Sequence, residues 1–316
     1  MYIGIDLGGT NIAGGVVDDD GSILMSMSLE TKVERGSEPI IEDIATIVKA
    51  LSTEYEVSSV GIGIPGIADP HTGEVLACVN LNWYHVPLRA SLEPKIGLPV
   101  FIDNDATVAG VAEFQVAQKG HYKNAVILTL GTGIGGGILV NGEVVSGHHG
   151  IGSEIGHMII GENFYICNCG HNGCLETFAS STAIIKYARH LLAEGETSEC
   201  LMEITGGKPE LINGRMIFDA AREGDALANK VVDRFVKYLS IGIINVVSMI
   251  DPEIVLLGGG LAGAGDFFLD KLRQSLDALK YFKDADVAKI EIAKLKNDAG
   301  IIGAAIYSKM HQAQLE

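Results

Sequence analysis

Hydrophobic and polar positions follow a strand period at the start of the chain and a helical period soon afterwards. Residues 2–7 alternate as a short strand, Asn11–Val17 resumes it, and Asp20-Gly21 supplies a hairpin turn before Ser22–Leu29. The chain therefore opens as a β-meander. Between Glu38 and Tyr55 the apolar residues Ile41, Ile44, Val48, Leu51 and Tyr55 recur at helical spacing, with Ser37 as N-cap and Pro39 in the first turn. Val57–Ile64 and Val100–Ile102 read as buried strands, and Ala106–Lys119 as a helix. Beyond Cys174 the pattern is mostly helical, over Leu175–Leu192, Met216–Glu223, Asp225–Met249, Phe267–Leu279 and Ala299–His311, with one strand at Glu253–Leu257.

The opening hairpin has an echo downstream. Residues 5–21 (IDLGGTNIAGGVVDDDG) and 128–143 (LTLGTGIGGGILVNGE) each read as a strand, a Gly/Thr turn, a second strand and an Asp-Gly or Asn-Gly hairpin. Two copies of one unit, each followed by helices, suggest a duplicated α/β core whose halves face each other across a cleft; two independent Gly-rich hairpins are the alternative. No low-complexity linker separates the halves, so the division is expected at a compact hinge near 115–122. That gives a small domain over 1–117, a larger one over 118–298, and a last helix within 299–316 returning to the first.

Composition narrows the function. A chain of 316 residues, 47% hydrophobic and 20% charged, is a folded globular protein of about two domains. Its formal charge of −17 repels nucleic acid and anionic membranes, so neither is expected as a partner. Any bound phosphate must be held by backbone N–H groups, helix ends and a divalent cation. The longest apolar run, near Ile241–Ile250, is too short to span a bilayer, and Asp6 interrupts the segment that a signal peptide keeps apolar. The expected compartment is the cytoplasm, where clustered cysteines point to a metal rather than to disulfides.

Glycine, with 40 residues, directs attention to Gly-rich turns. Three segments match G-x-G-x-x-G, beginning at Gly61, Gly131 and Gly258, but none has both the strand–turn–helix context and the later acidic residue of a dinucleotide site. There is no G-x-x-x-x-G-K-[ST] either, which excludes a P-loop. DLGGTN (6–11) and GTGIGGG (131–137) read better as paired phosphate loops: Gly8, Gly9, Gly131 and Gly133 let backbone N–H groups converge on an anion, and Thr10 and Thr132 add hydroxyls. Asp6 beside the first loop suits a Mg²⁺ held through water. Asn104 and Asp105 follow a buried strand and precede a helix, where Asp105 serves either as a proton acceptor for a hydroxyl or as a helix N-cap.

The most specific signal is EIGHMIIGENFYICNCGHNGCLE over 154–176. His157, Cys167, Cys169 and Cys174 are the ligand set of a closed, structural Zn²⁺ site, with His171 as competing ligand and free thiols as the alternative. Such a zinc pins a loop whose carboxylates, Glu154 and Glu176, suit a polyhydroxylated ligand.

DLGGTN, Asn104-Asp105, GTGIGGG, EIGH and CNCGHNGCLE together resemble the ROK family of sugar kinases and repressors, over residue 2 to about 307, and most of all its bacterial glucokinase branch, as does VNLNWYHVPLRASLE at 79–93. The resemblance implies a two-domain actin-like ATPase fold of ribonuclease H type, closing on ATP and a hexose. It implies Asp105 as catalytic base; Gly66, Asn80, Asn104, Glu154, His157 and Glu176 at the sugar; Asp6, Gly8, Gly9, Thr10, Asn11, Gly131, Thr132 and Gly133 at the nucleotide phosphates; and Gly258, Gly259 and Gly260 at the adenosine. The implied cofactors are ATP, Mg²⁺ and structural Zn²⁺, and the implied assembly is a homo-oligomer, dimer or tetramer. His171 departs from the family's usual residue. The repressors' N-terminal DNA-binding domain has no counterpart before the strand that starts at residue 2. Glucose is the expected substrate, with N-acetylmannosamine, N-acetylglucosamine, mannose and fructose as rival acceptors, polyphosphate as rival donor, and a non-catalytic sugar sensor as rival class.

Overall fold

Two five-stranded sheets carry the same strand order. In the computed structural model, which describes residues 1–284 and 286–313, the strands of the first half are β1 (Tyr2–Leu7), β2 (Asn11–Val17), β3 (Ile23–Glu30), β4 (Ser59–Ile64), β5 (Ile67–Ala68), β6 (Val75–Cys78), β7 (Trp83–Val86) and β8 (Val100–Asn104). Those of the second are β9 (Ala125–Leu130), β10 (Ile134–Val140), β11 (Glu143–Val144), β12 (Ile254–Gly258) and β13 (Lys289–Ile292). The first sheet runs β3-β2-β1-β4-β8, antiparallel from β3 to β1 and parallel from β1 through β4 to β8. The second runs β11-β10-β9-β12-β13, again with an antiparallel outer pair and a parallel one. The echo between the two Gly/Thr hairpins is thus an echo of whole sheets. A small sheet, β5-β6-β7, has no counterpart in the sequence reading.

The helices are α1 (Ser37–Leu51), α2 (Leu88–Ile96), α3 (Asp105–Ala112), α4 (Glu176–Ala179), α5 (Ser181–Ala193), α6 (Glu199–Ile204), α7 (Gly214–Arg222), α8 (Ala226–Ile250), α9 (Asp266–Leu279) and α10 (Ala299–Gln312). Several differ from the periodicity reading for local reasons. Gly36 rather than Ser37 takes the N-cap position of α1. The helix expected over Ala106–Lys119 turns into a π-helical segment at Glu113–Ala117. The helix expected over Leu175–Leu192 breaks at Ser180, whose extended backbone and hydroxyl cap α5 through the Ala183 N–H, while the Ser181 N–H is claimed by the Gly131 carbonyl at 2.8 Å. Among the described residues no helix is long and apolar enough to cross a membrane.

The chain divides into two compact units, one holding Met1–Ile127, Gly137–Ser153 and the chain from Lys294 onward, the other Leu128–Gly136 and Glu154–Ala293. The boundary at 117/118 expected from sequence differs from this division, because side-chain and backbone contacts tie later segments to α3 and β8. Gly110 of α3 faces the Ile127 side chain, Gly137 faces the backbone of Ala106 and Thr107, and Ser146 donates to Asp103.

In the first unit α1 and α2 bury Ile40, Ile44, Val48, Leu88 and Leu92 with Ile3, Ile5 and Ile62 in one core, and α3 and α10 bury Val108, Val111, Ile302 and Ile306 in another. Contact between α10 and its neighbours is made at backbone distance. A Cβ placed on Gly4 of β1 would lie 1.8 Å from the Ile301 carbonyl oxygen, one on Gly61 of β4 would lie 1.7 Å from that of Ala304, and one on Gly303 would lie 1.8 Å from that of Val108 in α3. Only glycine allows this approach. In the second unit Phe218, Phe235 and Phe268 join α7, α8 and α9 through ring contacts of 5.7 to 6.1 Å.

Gly61→Ala is expected to destabilise the protein by roughly 3 kcal/mol or to prevent folding, since overpacking against backbone cannot relax. Gly263→Ala, where nothing lies within 4 Å, is expected to stay within about 1 kcal/mol of the parent. Urea unfolding of the two variants checks this, and equal midpoints would contradict it.

Candidate active site

Asp105 stands at the first position of α3, immediately after β8 delivers Asn104. The two readings left open by the sequence separate here: Asn104, not Asp105, is the N-cap. Its Oδ1 accepts from the N–H groups of Ala106 at 2.9 Å and Thr107 at 3.3 Å. Its Nδ2 donates to the Gly66 carbonyl at 3.2 Å, joining two of the residues assigned to the sugar. Asp105 Oδ1 accepts from the Ala106 N–H at 2.8 Å. A carboxylate on the first turn of a helix sits at the positive end of its dipole.

Gly66 has to be glycine, since a Cβ there would lie 2.4 Å from the Ala77 carbonyl oxygen on the small sheet. The same sheet ends in the turn Val79–Leu81 that exposes Asn80, whose carbonyl faces Gly9 of the first Gly/Thr turn. In that turn the Gly8 N–H donates to the Asn11 carbonyl at 2.9 Å, and the Thr31 hydroxyl donates to the Gly8 carbonyl at 2.7 Å, leaving Thr10 and Asn11 exposed. Neither Gly8 nor Gly9 adopts a positive φ, so closeness and not dihedral freedom is what the glycines supply. Asp6, near the end of β1 just before that turn, is pushed above the usual carboxylate range by burial. Its carboxylate occupies the place of a side chain at Gly300, where a Cβ would come within 2.6 Å of Oδ2.

Asp103 was not singled out by sequence. It is 5% exposed and accepts from Ser146 Oγ, from the Asn104 N–H at 2.7 Å and from the Tyr307 hydroxyl. Burial pushes Asp103 up, against those three hydrogen bonds, and burial followed by the Asp103 charge pushes Tyr307 up. Three segments distant in sequence thus meet one residue away from Asn104.

In the second unit the Gly131–Gly133 turn is bound to the far end of the cysteine segment. Glu176 Oε2 accepts from the Ile134 N–H at 3.1 Å, and a Cβ on Gly133 would lie 2.1 Å from the same oxygen. Gly131 uses its own N–H within the turn, donating to the Gly133 carbonyl at 3.0 Å, and Thr132 is exposed at the tip. Gly259, at φ 81°, packs on the Leu130 backbone just before that turn, so the loop Gly258–Gly260 adjoins it. Beyond Gly260 lies a cavity of about 370 Å³ lined by Arg215, Phe218, Asp219, Arg222 and Leu261. Arg215, Phe218, Asp219 and Arg222 escaped the sequence reading because they lie on α7, far from any Gly-rich motif, whereas Leu261 lies inside one.

His157, Cys167, Cys169 and Cys174 converge with their donor atoms all within 4.8 Å of one another. His157 turns Nδ1 toward Cys167 at 3.7 Å and Nε2 toward Glu154 at 3.9 Å, so one ring nitrogen addresses the thiols and the other a carboxylate. His171 Nδ1 lies 3.7 Å from Cys169 Sγ yet is not part of the four-donor group. The thiols sit on a hairpin closed by the bridges Ile159↔Cys174 and Ile166↔Asn172, with Gly170 at φ 90° in its turn. Burial pushes Cys167 up to about 12. At Cys169 burial is outweighed by hydrogen bonds from the His171 backbone and ring and from Cys167 and Cys174, which hold it down at about 6. Three thiols and an imidazole at these separations fit a tetrahedral zinc ion, whose charge would deprotonate the remaining thiols. Burial also raises Glu154, opposed by His157 and reinforced by Glu176.

The model of the ROK family matches residues 2–311. The chain belongs to the ROK family. A ROK relative, the glucokinase of Thermotoga maritima, is 39% identical over 307 residues, covering 96% of this chain and 95% of that protein. Among solved ROK structures, a glucokinase from Streptomyces griseus in complex with glucose and AMPPNP superposes with a TM-score of 0.81 at 33% identity, covering 98% of this chain and 99% of the other. A ROK hexokinase from Thermus thermophilus gives 0.84 at 30% identity over 99% of both chains. The fold is that of the ROK kinases, the duplicated α/β actin-like ATPase fold expected from sequence.

Proposed function

We propose that this chain is an ATP-dependent hexose kinase that transfers the γ-phosphoryl group of ATP to the 6-hydroxyl of glucose, with Asp105 as base. The observation that carries the reading is the division of labour at the head of α3: Asn104 caps the helix, so the neighbouring carboxylate is not needed for that purpose. Asp105 takes the proton of the sugar hydroxyl, whose oxygen forms the bond to phosphorus as the bond to the bridging oxygen of ADP breaks. Asn104, Gly66 and Asn80 are assigned to positioning the sugar. Glu154, His157 and Glu176 are assigned to sugar hydroxyls. The two Gly/Thr turns are assigned to the phosphates and Gly258–Gly260 to the adenosine, and Asp6 is the carboxylate for a hydrated Mg²⁺. When bound, zinc supplies structural cross-linking of the Cys167–Cys174 hairpin, because four protein donors leave no position for a reacting group.

Coupled ADP release with Mg-ATP across glucose, mannose, fructose and the N-acetylhexosamines tests the reaction. Glucose is expected to turn over fastest, and Asp105→Asn is expected to lose about two to four orders of magnitude in kcat while its unfolding midpoint is retained. Near-normal turnover of that variant would remove Asp105 as base, and silence across the panel from folded protein would leave the sugar-sensor reading. Elemental analysis is expected to find one zinc per chain, absent from Cys169→Ser. Metal-free protein with full activity would refute the zinc assignment.

A further inference from the structure

Arg234 on α8 has no part in the roles assigned above. Its guanidinium carbon lies 4.4 Å from the ring centre of Tyr187, 4.9 Å from that of Phe178, 5.1 Å from Tyr238 and 5.9 Å from Phe164. Among the described residues no carboxylate makes an ion pair with it, and burial lowers its basicity, against the pull of the neighbouring tyrosines. A half-buried guanidinium without a carboxylate is costly, and the aromatic faces offset only part of that cost. What orients it is one directed bond: Nη2 donates to Oδ1 of Asn163 at 2.8 Å.

Asn163 is a junction. Its Nδ2 donates to the Thr177 carbonyl at 2.7 Å, its backbone N–H donates to Oδ1 of Asn172 at 2.7 Å, and its carbonyl accepts from Nδ2 of Asn172 at 2.9 Å. Asn172 lies between Cys169 and Cys174, and Thr177 directly follows Glu176. The Tyr165 hydroxyl donates to the same Thr177 carbonyl at 2.9 Å. The second arm of the hairpin is therefore tied to the Asn163 backbone and the start of α4 to its side chain, and that side chain is held by Arg234 from a helix of 25 residues.

Apolar packing holds the hairpin only in part: Ile159 and Ile166 are more than half exposed, and Phe164 is exposed although its ring stacks on His190 at 4.5 Å. Polar ties and the metal supplement that packing in keeping its thiols together.

We infer that Arg234 is a positioning residue for the metal centre: acting through Asn163, it keeps the Cys167–Cys174 hairpin assembled around the zinc ion and so sets how slowly the metal leaves. This rests on the zinc assignment made above. The experiment measures zinc release from the zinc-loaded full chain into a chromogenic chelator. Arg234→Met keeps volume and aromatic contact but removes the donor, Asn163→Ala leaves the arginine in its aromatic surroundings and removes the side-chain bonds to Arg234 and Thr177 while keeping the backbone bonds to Asn172, and the double variant joins them.

Each single variant is expected to release zinc about tenfold or more faster than the parent, in line with the usual weight of groups that orient metal ligands. The double variant is expected to match the singles, because both break one path. The melting temperature of the zinc-free protein is expected to be unchanged. Release within twofold of the parent, effects that multiply in the double variant, or an equal fall in zinc-free stability would each overturn the inference. Should Arg234→Met fail to fold, Asn163→Ala alone decides. A chain that takes up no zinc removes the metal assignment itself, whereas normal uptake with unchanged release removes only the role of Arg234.

Discussion

The first unit depends on the approach of α10 to β1, β4 and α3 at backbone distance. Gly4, Gly61 and Gly303 are the contact points, and each would place a Cβ inside 2 Å of a carbonyl oxygen. Contacts of this kind have no side-chain slack, so they fix the relative heights of two strands and two helices. The residues proposed for the chemistry are attached to those elements: Asp6 at the end of β1, Gly66 shortly after β4, and Asn104 and Asp105 where β8 passes into α3. The same helix supplies Tyr307 to the Asp103 carboxylate and leaves room at Gly300 for Asp6. A rigid backbone seat is thus translated into the positions of two carboxylates.

The second unit is organised differently, by directed hydrogen bonds that reach from the Gly/Thr turn into the cysteine hairpin. Glu176 holds the Ile134 N–H, Gly131 holds the Ser181 N–H, and Asn163 holds both Asn172 and Thr177. Each bond alone contributes about 1 kcal/mol, so the arrangement relies on several acting together. This explains why the hairpin tolerates exposed apolar side chains such as Ile166 that a conventional core would cover.

Much of this was legible in the residues. The repeated Gly/Thr hairpin announced two equivalent sheets because strand period and turn chemistry are local. The convergence of His157, Cys167, Cys169 and Cys174 was legible because ligand type and spacing mark such a cluster. What stayed hidden was long-range. Asp103 looked like one more strand residue until Ser146 and Tyr307 met it, and Gly300 looked like a helix glycine until Asp6 occupied the space beside it. The helix break at Ser180 depends on a carbonyl 49 positions away in the chain, at Gly131, which no window of periodicity contains. The Asn104-Asp105 ambiguity was local: both residue types cap helices, and only the bonds from the Ala106 and Thr107 N–H groups to Asn104 Oδ1 show which of them does so.

The claim that backbone seating places the carboxylates is tested most directly by steady-state phosphoryl transfer in Gly300→Ala, titrated with Mg²⁺ at saturating glucose. The added methyl meets the Asp6 carboxylate rather than backbone, so folding is expected to survive while kcat falls roughly tenfold or more, as expected for a displaced catalytic group. The Mg²⁺ requirement is expected to rise with it. Parental turnover and an unchanged Mg²⁺ dependence in a folded Gly300→Ala protein would contradict the account.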